Sequence, residues 1–126
     1  MGSASATARS AARVRRLRPV DLLSAPEAAS SQAGTGPRLI DVREPREFVA
    51  GHIAGAVNIP LAELAGRLRD IPFDASPVFV CRSGVRSLTA CGIALRAGAA
   101  EACNLDGGLL AWAAEVDATM VVAAAR

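Results

Sequence analysis

One short segment combines the residue types that a reactive thiol needs. It consists of Cys81, Arg82, Ser83, Gly84, Val85, Arg86 and Ser87. An apolar run over residues 77–80 predicts a buried strand before it, and the pattern after it predicts a helix. Backbone N–H groups in such a turn, the helix N-terminus and two arginines all favour a thiolate. We therefore predict that Cys81 is a nucleophile and that the six residues after it form an anion-binding loop.

The simpler alternative is that Cys81 is a buried thiol at a strand end, since free cysteine is among the most buried residue types. Two arginines and a glycine within the next five positions favour the reactive role. Cys91 lies on the apolar face of one predicted helix and Cys103 lies in a predicted strand, so we expect both to be buried. Either thiol could alternatively form a disulfide with an oxidised Cys81. A Cys–His pair with His52 is also conceivable, but we expect a structural role for this histidine.

Short apolar runs alternate with helical patterns along the chain. Strands are predicted at 39–42, 56–59, 77–80 and 102–105, and helices at 45–50, 61–68, 85–97 and 109–116. A further short helix is expected to begin near Asp21. This alternation predicts an α/β fold, a three-layer α/β/α sandwich around a central, mainly parallel sheet of about five short strands. Ligands of such sheets bind where strands end, which places the site just after Val80.

Composition limits the classes of partner. The chain has 126 residues and a net charge of +2, and all 14 of its basic residues other than histidine are arginine. Five of them lie in residues 1–20, which hold no acid, so residues 21–126 carry nine arginines against twelve acids. We therefore expect no nucleic-acid partner. No apolar run approaches the roughly 18 residues of a membrane span, so no membrane partner is expected either.

The chain divides into three parts by composition. We predict a basic, disordered arm over residues 1–18, one domain over 19–117 and an apolar tail over 118–126. A solvated tail, a transit peptide and an engineered start all remain open for the arm. Three cysteines without a CxxC pair fit neither a disulfide framework nor a zinc site. The expectation is a reducing compartment, by default the cytoplasm.

Four segments in order carry a family resemblance. They are Leu39–Glu44, the run from Glu47-Phe48 through Gly51–Pro60, the loop Cys81–Ser87, and Leu105–Gly108 followed by Ala111-Trp112. Together they resemble the rhodanese family over about residues 20–116. Trp112, on the last predicted helix, is expected in the core.

The resemblance implies a sulfurtransferase. A thiosulfate-like anion would give its outer sulfur to Cys81, and cyanide, a thiol or a protein cysteine would take it from the persulfide. It implies no metal and no organic cofactor. Arg43 matches an arginine that helps to hold the anionic donor in some relatives, and the alternative is an ion pair with Glu44 or Glu47. Asp41 is expected to satisfy backbone donors rather than to act as a base.

Two other functions stay open. The same loop could serve a persulfide carrier or a regulatory binding module that turns over thiosulfate poorly. A phosphatase or arsenate reductase is disfavoured, because the related enzymes with those activities have a loop one residue longer than Cys81–Arg86.

Overall fold

The computed structural model describes residues 12–24, 39–70 and 76–125. Within them, five strands form one parallel sheet in the order β1-β5-β4-β2-β3. The strands are β1 (Arg13–Leu17), β2 (Leu39–Asp41), β3 (Val57–Asn58), β4 (Val78–Val80) and β5 (Glu101–Leu105). β4 is flanked by β5 and β2, so the chain leaves the middle of the sheet directly before Cys81.

Helices connect the strands. They are α1 (Pro19–Ser24), α2 (Pro45–Ala50), α3 (Leu61–Leu64), α4 (Val85–Arg96) and α5 (Gly108–Glu115), with a 3₁₀ turn at Ala65–Asp70 after α3. Proline at the first position suits α2, because its missing N–H would have no partner there. The helix predicted over 61–68 is thus a single α turn followed by tighter 3₁₀ winding.

Alternate strand residues feed two apolar clusters on opposite faces of the sheet. Ile40 and Phe79 belong to the cluster that includes Ala90, Cys91 and Ala94 of α4. The residues next to them in the strands belong to the second cluster, which also contains Leu22 of α1 and Leu109 and Trp112 of α5. These strand residues are Leu39, Val78 and Val80. Helices therefore cover both faces, and the predicted three-layer α/β/α sandwich is confirmed.

The prediction of a disordered arm through residue 18 is wrong for Arg13–Leu17, which form β1 and pair with β5 over their whole length. Arg13 and Arg16 point outward, and their charges are met by Glu101 and Asp106 at 3.0 and 2.9 Å. Leu17 is buried in the cluster that contains Leu22 and Trp112. An edge strand tolerates such outward charges, so a basic run was compatible with sheet pairing. Residues 1–11 lie outside the described residues.

The segment predicted as a separate apolar tail lies against the domain as far as residue 125. It leaves α5 through a turn at Asp117, and Met120 and Val122 then pack against the cluster beneath α5. Across the described ranges, no helix has the length and apolar character that a membrane crossing requires.

Candidate active site

The sulfur of Cys81 receives backbone N–H groups from the loop that follows β4. The amide of Gly84 lies 3.1 Å from Sγ and that of Ser87 lies 3.3 Å from it. Gly84 makes this curl possible, because its φ of +98° is a left-handed conformation that favours glycine. Two amide donors of this turn therefore converge on the sulfur atom, and anion binding by the turn stays a prediction.

A second loop holds the first in place. The N-terminus of α5 donates from Leu109 to the Cys81 carbonyl at 2.9 Å and from Leu110 to the Arg82 carbonyl at 3.0 Å. Gly108 has a φ of +58°, and a Cβ there would overlap those two carbonyls. These hydrogen bonds turn the loop carbonyls towards α5, and the loop amides of Gly84 and Ser87 point towards the sulfur.

A buried polar chain leads away from the sulfur. Ser87 Oγ lies 3.3 Å from Cys81 Sγ and donates to Asn104 Oδ1. Asn104 Nδ2 in turn donates to Asp106 Oδ1 at 2.9 Å. Since a carboxylate only accepts, this contact fixes the orientation of the Asn104 amide. Ser87 and Asn104 are both buried, so the arrangement is held by packing as well as by hydrogen bonds.

Arg86, predicted as a substrate-binding residue, is joined to Glu47 of α2. Its two Nη atoms lie 2.9 and 3.0 Å from the two carboxylate oxygens, and Glu47 is fully buried. Burial alone would raise the pKa of Glu47, but the Arg86 hydrogen bond, the Glu44 amide and the charges of Arg86 and Arg43 lower it overall. The hydrogen bond to Glu47 raises the pKa of Arg86. The pair is charged at neutral pH and links α2 to the end of the loop.

Arg43, the other predicted donor-binding arginine, lies fully buried. Its Nε and Nη2 bind the Asp41 carboxylate at distances from 2.8 to 3.2 Å, and Nη2 also donates to the Gly51 carbonyl. The ion pair is therefore with Asp41 rather than with Glu44 or Glu47. Asp41 also accepts the Arg43 backbone N–H. Nη1 is buried and has no hydrogen-bond partner within the part of the chain that the structure describes.

The outer side of the loop reaches solvent while its sulfur does not. Ser83 is exposed, and Val85 is 69% exposed. Cys81 is only 1% exposed, so neighbouring groups must move before a donor can reach Sγ. Arg82 directs its Nε to the carbonyl oxygen of Ala123 in the C-terminal segment, at 3.2 Å.

A family comparison agrees with this geometry. The model of the rhodanese-like domain matches residues 24–115, which include both loops at the sulfur. The chain belongs to the rhodanese-like domain family.

Curated relatives include two that are named as sulfurtransferases. A sulfurtransferase of Allochromatium vinosum is 40% identical over 75 residues, covering 60% of this chain and 70% of that protein. The thiosulfate sulfurtransferase GlpE of Pseudomonas aeruginosa is 33% identical over 88 residues, covering 70% and 80%. An uncharacterized Bacillus subtilis protein, YqhL, is 43% identical over 81 residues, or 64% of each chain. The match thus spans less than two thirds of that protein.

Solved rhodanese-like structures superpose on most of this chain. A rhodanese-related protein from Thermoplasma volcanium has a TM-score of 0.70 at 28% identity, covering 86% of this chain and 99% of its own. The human single-domain sulfurtransferase TSTD1 has a TM-score of 0.67 at 26% identity, covering 79% and 96%.

The remaining cysteines of this rhodanese-like domain differ from Cys81. Cys91 and Cys103 are buried as predicted. Burial is the main cause that raises the pKa of Cys91 to about 12 and that of Cys103 to about 11. His52 stacks on Phe48, with ring centroids 3.7 Å apart, and its Nδ1 donates to the Phe48 carbonyl. These contacts suit the structural role expected for His52.

Sequence reasoning missed Asn104 and the partner of Arg86. Asn104 falls in the strand predicted at 102–105, and the one available signal is that a lone amide among buried residues needs a hydrogen-bond partner. The sequence suggests Glu47 only as a partner for Arg43, because sequence spacing does not show which arginine reaches a buried carboxylate.

Proposed function

We propose that this chain is a rhodanese-type sulfurtransferase that carries sulfane sulfur on Cys81. The observation that carries the proposal is the pair of amides, from Gly84 and Ser87, directed at Sγ. Hydrogen bonds from fixed N–H groups stabilise an anion without any reorganisation during the reaction. The same two donors serve a thiolate before transfer and a sulfur chain after it.

In the first step, the Cys81 thiolate attacks the outer sulfur of thiosulfate. A new S–S bond forms to Cys81, the old bond to the sulfonate sulfur breaks with its electron pair, and sulfite leaves. The negative charge ends on the outer persulfide sulfur. In the second step, a thiolate or cyanide attacks that sulfur, and the Cys81 thiolate is the leaving group, as in thiol–disulfide exchange.

The three arginines would then have separate roles. We assign the contact with the sulfonate to Arg82, since its observed Nε partner is a neutral carbonyl that an anion could replace. Arg86 would fix the loop end through Glu47. Arg43 is buried against Asp41, so contact with a donor would require it to move, and we assign it to the frame beneath the loop.

The test is the intact mass of the protein after incubation with thiosulfate. We expect a gain of one sulfur atom, released sulfite in equal amount, and loss of both in Cys81→Ser. Cys91→Ser serves as the matched control and should retain the mass gain. Sulfite release by Cys81→Ser at the wild-type rate would refute the proposal.

A persulfide carrier would give a different pattern in the same experiment. Thiosulfate would then leave the mass of the intact protein unchanged, while incubation with a persulfidated partner protein would add one sulfur atom at Cys81. Hydrolysis of an aryl phosphate that depends on Cys81 would instead indicate a phosphatase.

A further inference from the structure

The C-terminal segment crosses the protein surface directly beside the sulfur loop. Gly51 marks the crossing point, because a Cβ at this residue would overlap the carbonyl oxygen of Val121, and the three atoms nearest to it all belong to the Val121 main chain. The φ of Gly51 is 170°, an extended conformation that any residue adopts. Its missing side chain therefore provides room for the segment rather than backbone freedom.

Three arginine N–H groups then hold consecutive carbonyls of the segment. Arg82 Nε donates to Ala123 at 3.2 Å, and Arg46 donates from Nη1 to Ala124 at 3.1 Å and from Nη2 to Ala125 at 2.5 Å. We name the surface formed by Arg46, Gly51 and Arg82 the peptide strip.

Side-chain burial alternates at the start of the segment. Met120 and Val122 pack against the apolar cluster beneath α5, whereas Val121 between them is 60% exposed. Alternation of this kind is expected of an extended backbone. The contacts at Gly51 and at the arginines are with the main chain, which is the same in every polypeptide. Only the two apolar positions would therefore distinguish one bound sequence from another.

The strip adjoins the sulfur loop. Arg82 directly follows Cys81 and contacts the segment, and a cleft of about 590 Å³ is lined by Arg86 of the loop together with Glu44, Pro45, Arg46 and Ala125. A peptide bound here in place of the segment would have its end next to the sulfur loop.

We propose that the peptide strip is a docking site for an extended segment of a sulfur-acceptor protein, and that residues 120–125 occupy it in the free protein. The partner has apolar side chains at two alternate positions and small residues after them. The choice of a thiol-bearing acceptor as the natural occupant rests on the proposed sulfurtransferase function, whereas the binding of a peptide does not.

A labelled peptide of residues 117–126 tests the strip in the full-length chain. Met120→Asp/Val122→Asp should release the segment, because it places charges against an apolar cluster. We expect saturable binding of the peptide to this variant and at least about tenfold weaker binding to the wild type, whose own segment competes at high effective concentration.

Additional substitutions in the released variant locate the binding. Arg46→Ala should weaken it about tenfold or more, since two hydrogen bonds from a charged group are lost, and Gly51→Ala should abolish it. Arg67→Ala, on the 3₁₀ turn, is the matched control and should bind as before. Equal binding to wild type and released variant, or no binding to a folded released variant, would overturn the proposal.

A second measurement covers the case in which the released variant does not fold. Elastase cleavage after the valines and alanines of residues 121–125 should accelerate in full-length Gly51→Ala, because a released main chain can enter a protease. The rest of the domain should remain as resistant as in the wild type, and unchanged cleavage in the segment would contradict the proposal.

Sulfur transfer is then measured separately. A peptide with cysteine in place of Ala124 should take sulfur from a Cys81 persulfide faster in the released variant than in the wild type, the peptide thiolate attacking the outer sulfur and the Cys81 thiolate leaving. Equal rates would overturn the acceptor assignment. Peptide binding without any sulfur loading of Cys81 would instead refute the proposed function and leave the strip intact.

Discussion

The single hydroxyl hydrogen of Ser87 has two possible acceptors. We therefore predict that substitutions of Ser87 and of Asn104 change the thiolate-to-thiol ratio of Cys81 in opposite directions. Ser87 Oγ donates to Asn104 Oδ1 and also lies 3.3 Å from Cys81 Sγ. Asn104 cannot turn its amide to offer a donor instead, because Asp106 holds Nδ2 at 2.9 Å. When Cys81 is a thiolate, the hydroxyl gains by turning to the sulfur and loses its bond to Asn104.

The magnitudes follow from the two kinds of hydrogen bond. A bond to a charged group contributes about 1.5–3 kcal/mol, and a neutral one about 0.5–1.5 kcal/mol. Ser87→Ala removes both options, so the thiolate should lose the difference of about 1–1.5 kcal/mol, or about five- to tenfold in its ratio to the thiol. Asn104→Leu removes only the competing acceptor, so the same ratio should rise about two- to tenfold.

The assay is the ultraviolet absorbance of the Cys81 thiolate at fixed pH near neutrality. Cys91 and Cys103 do not interfere, because burial raises their pKa values to about 12 and about 11. The control is the double variant: without the hydroxyl, Asn104→Leu should have no effect, so the two substitutions are non-additive. A fall in thiolate for Asn104→Leu, or an equal effect in both backgrounds, would refute the reasoning.

Three other predictions concern the frame of the site. Gly108→Ala should lower the free energy of unfolding by about 1–3 kcal/mol or more, measured by denaturant, because a left-handed φ and two loop carbonyls exclude a Cβ there. Glu47→Gln should cost about 1–3 kcal/mol, reduced from the fully buried case because Arg86 is 29% exposed. Because the pKa of Glu47 is lowered in the folded protein, the difference in free energy of unfolding between wild type and Glu47→Gln should be fully present above pH 4.5, the ordinary pKa. It should disappear as the pH falls through the lowered pKa. A difference that does not depend on pH would contradict this prediction. Cys91 and Cys103 should resist iodoacetamide in the folded protein at mildly alkaline pH and react after denaturation, as peptide mass mapping can show.

The elements that sequence reasoning predicted well are those with a strong apolar pattern. The strand predicted at 77–80 is β4 at Val78–Val80, and the helix predicted from Val85 is α4. The sequence did not predict β1, because four of its five residues are arginine or half-buried valine and give no apolar pattern. Its pairing with β5 is a long-range contact, and the acids that meet its arginines lie about 90 residues away in sequence. Local composition cannot show either.

The site was predictable as a loop but not as a set of contacts. The segment after β4 is recognisable because a cysteine, a glycine and two arginines follow one buried strand. Which carboxylate each arginine binds depends on how α2 packs against the loop, and that is decided by tertiary structure. The role of the C-terminal segment was also hidden, since six mostly apolar residues give no sign of where their carbonyls will lie.

The structure changes the account of what stabilises an anion at Cys81. Sequence reasoning assigned that role jointly to amides, a helix N-terminus and arginines. Arg86 faces Glu47 and Arg43 faces Asp41, so each of these two charges is balanced by a carboxylate. The observed partner of Arg82 is instead the neutral carbonyl of Ala123. The amides of Gly84 and Ser87 have no such counterpart and touch the sulfur directly. Since Coulomb interactions weaken with distance and with opposing charge, we infer that the loop amides and Arg82, rather than Arg86 or Arg43, would stabilise the anion that the proposed function requires at Cys81.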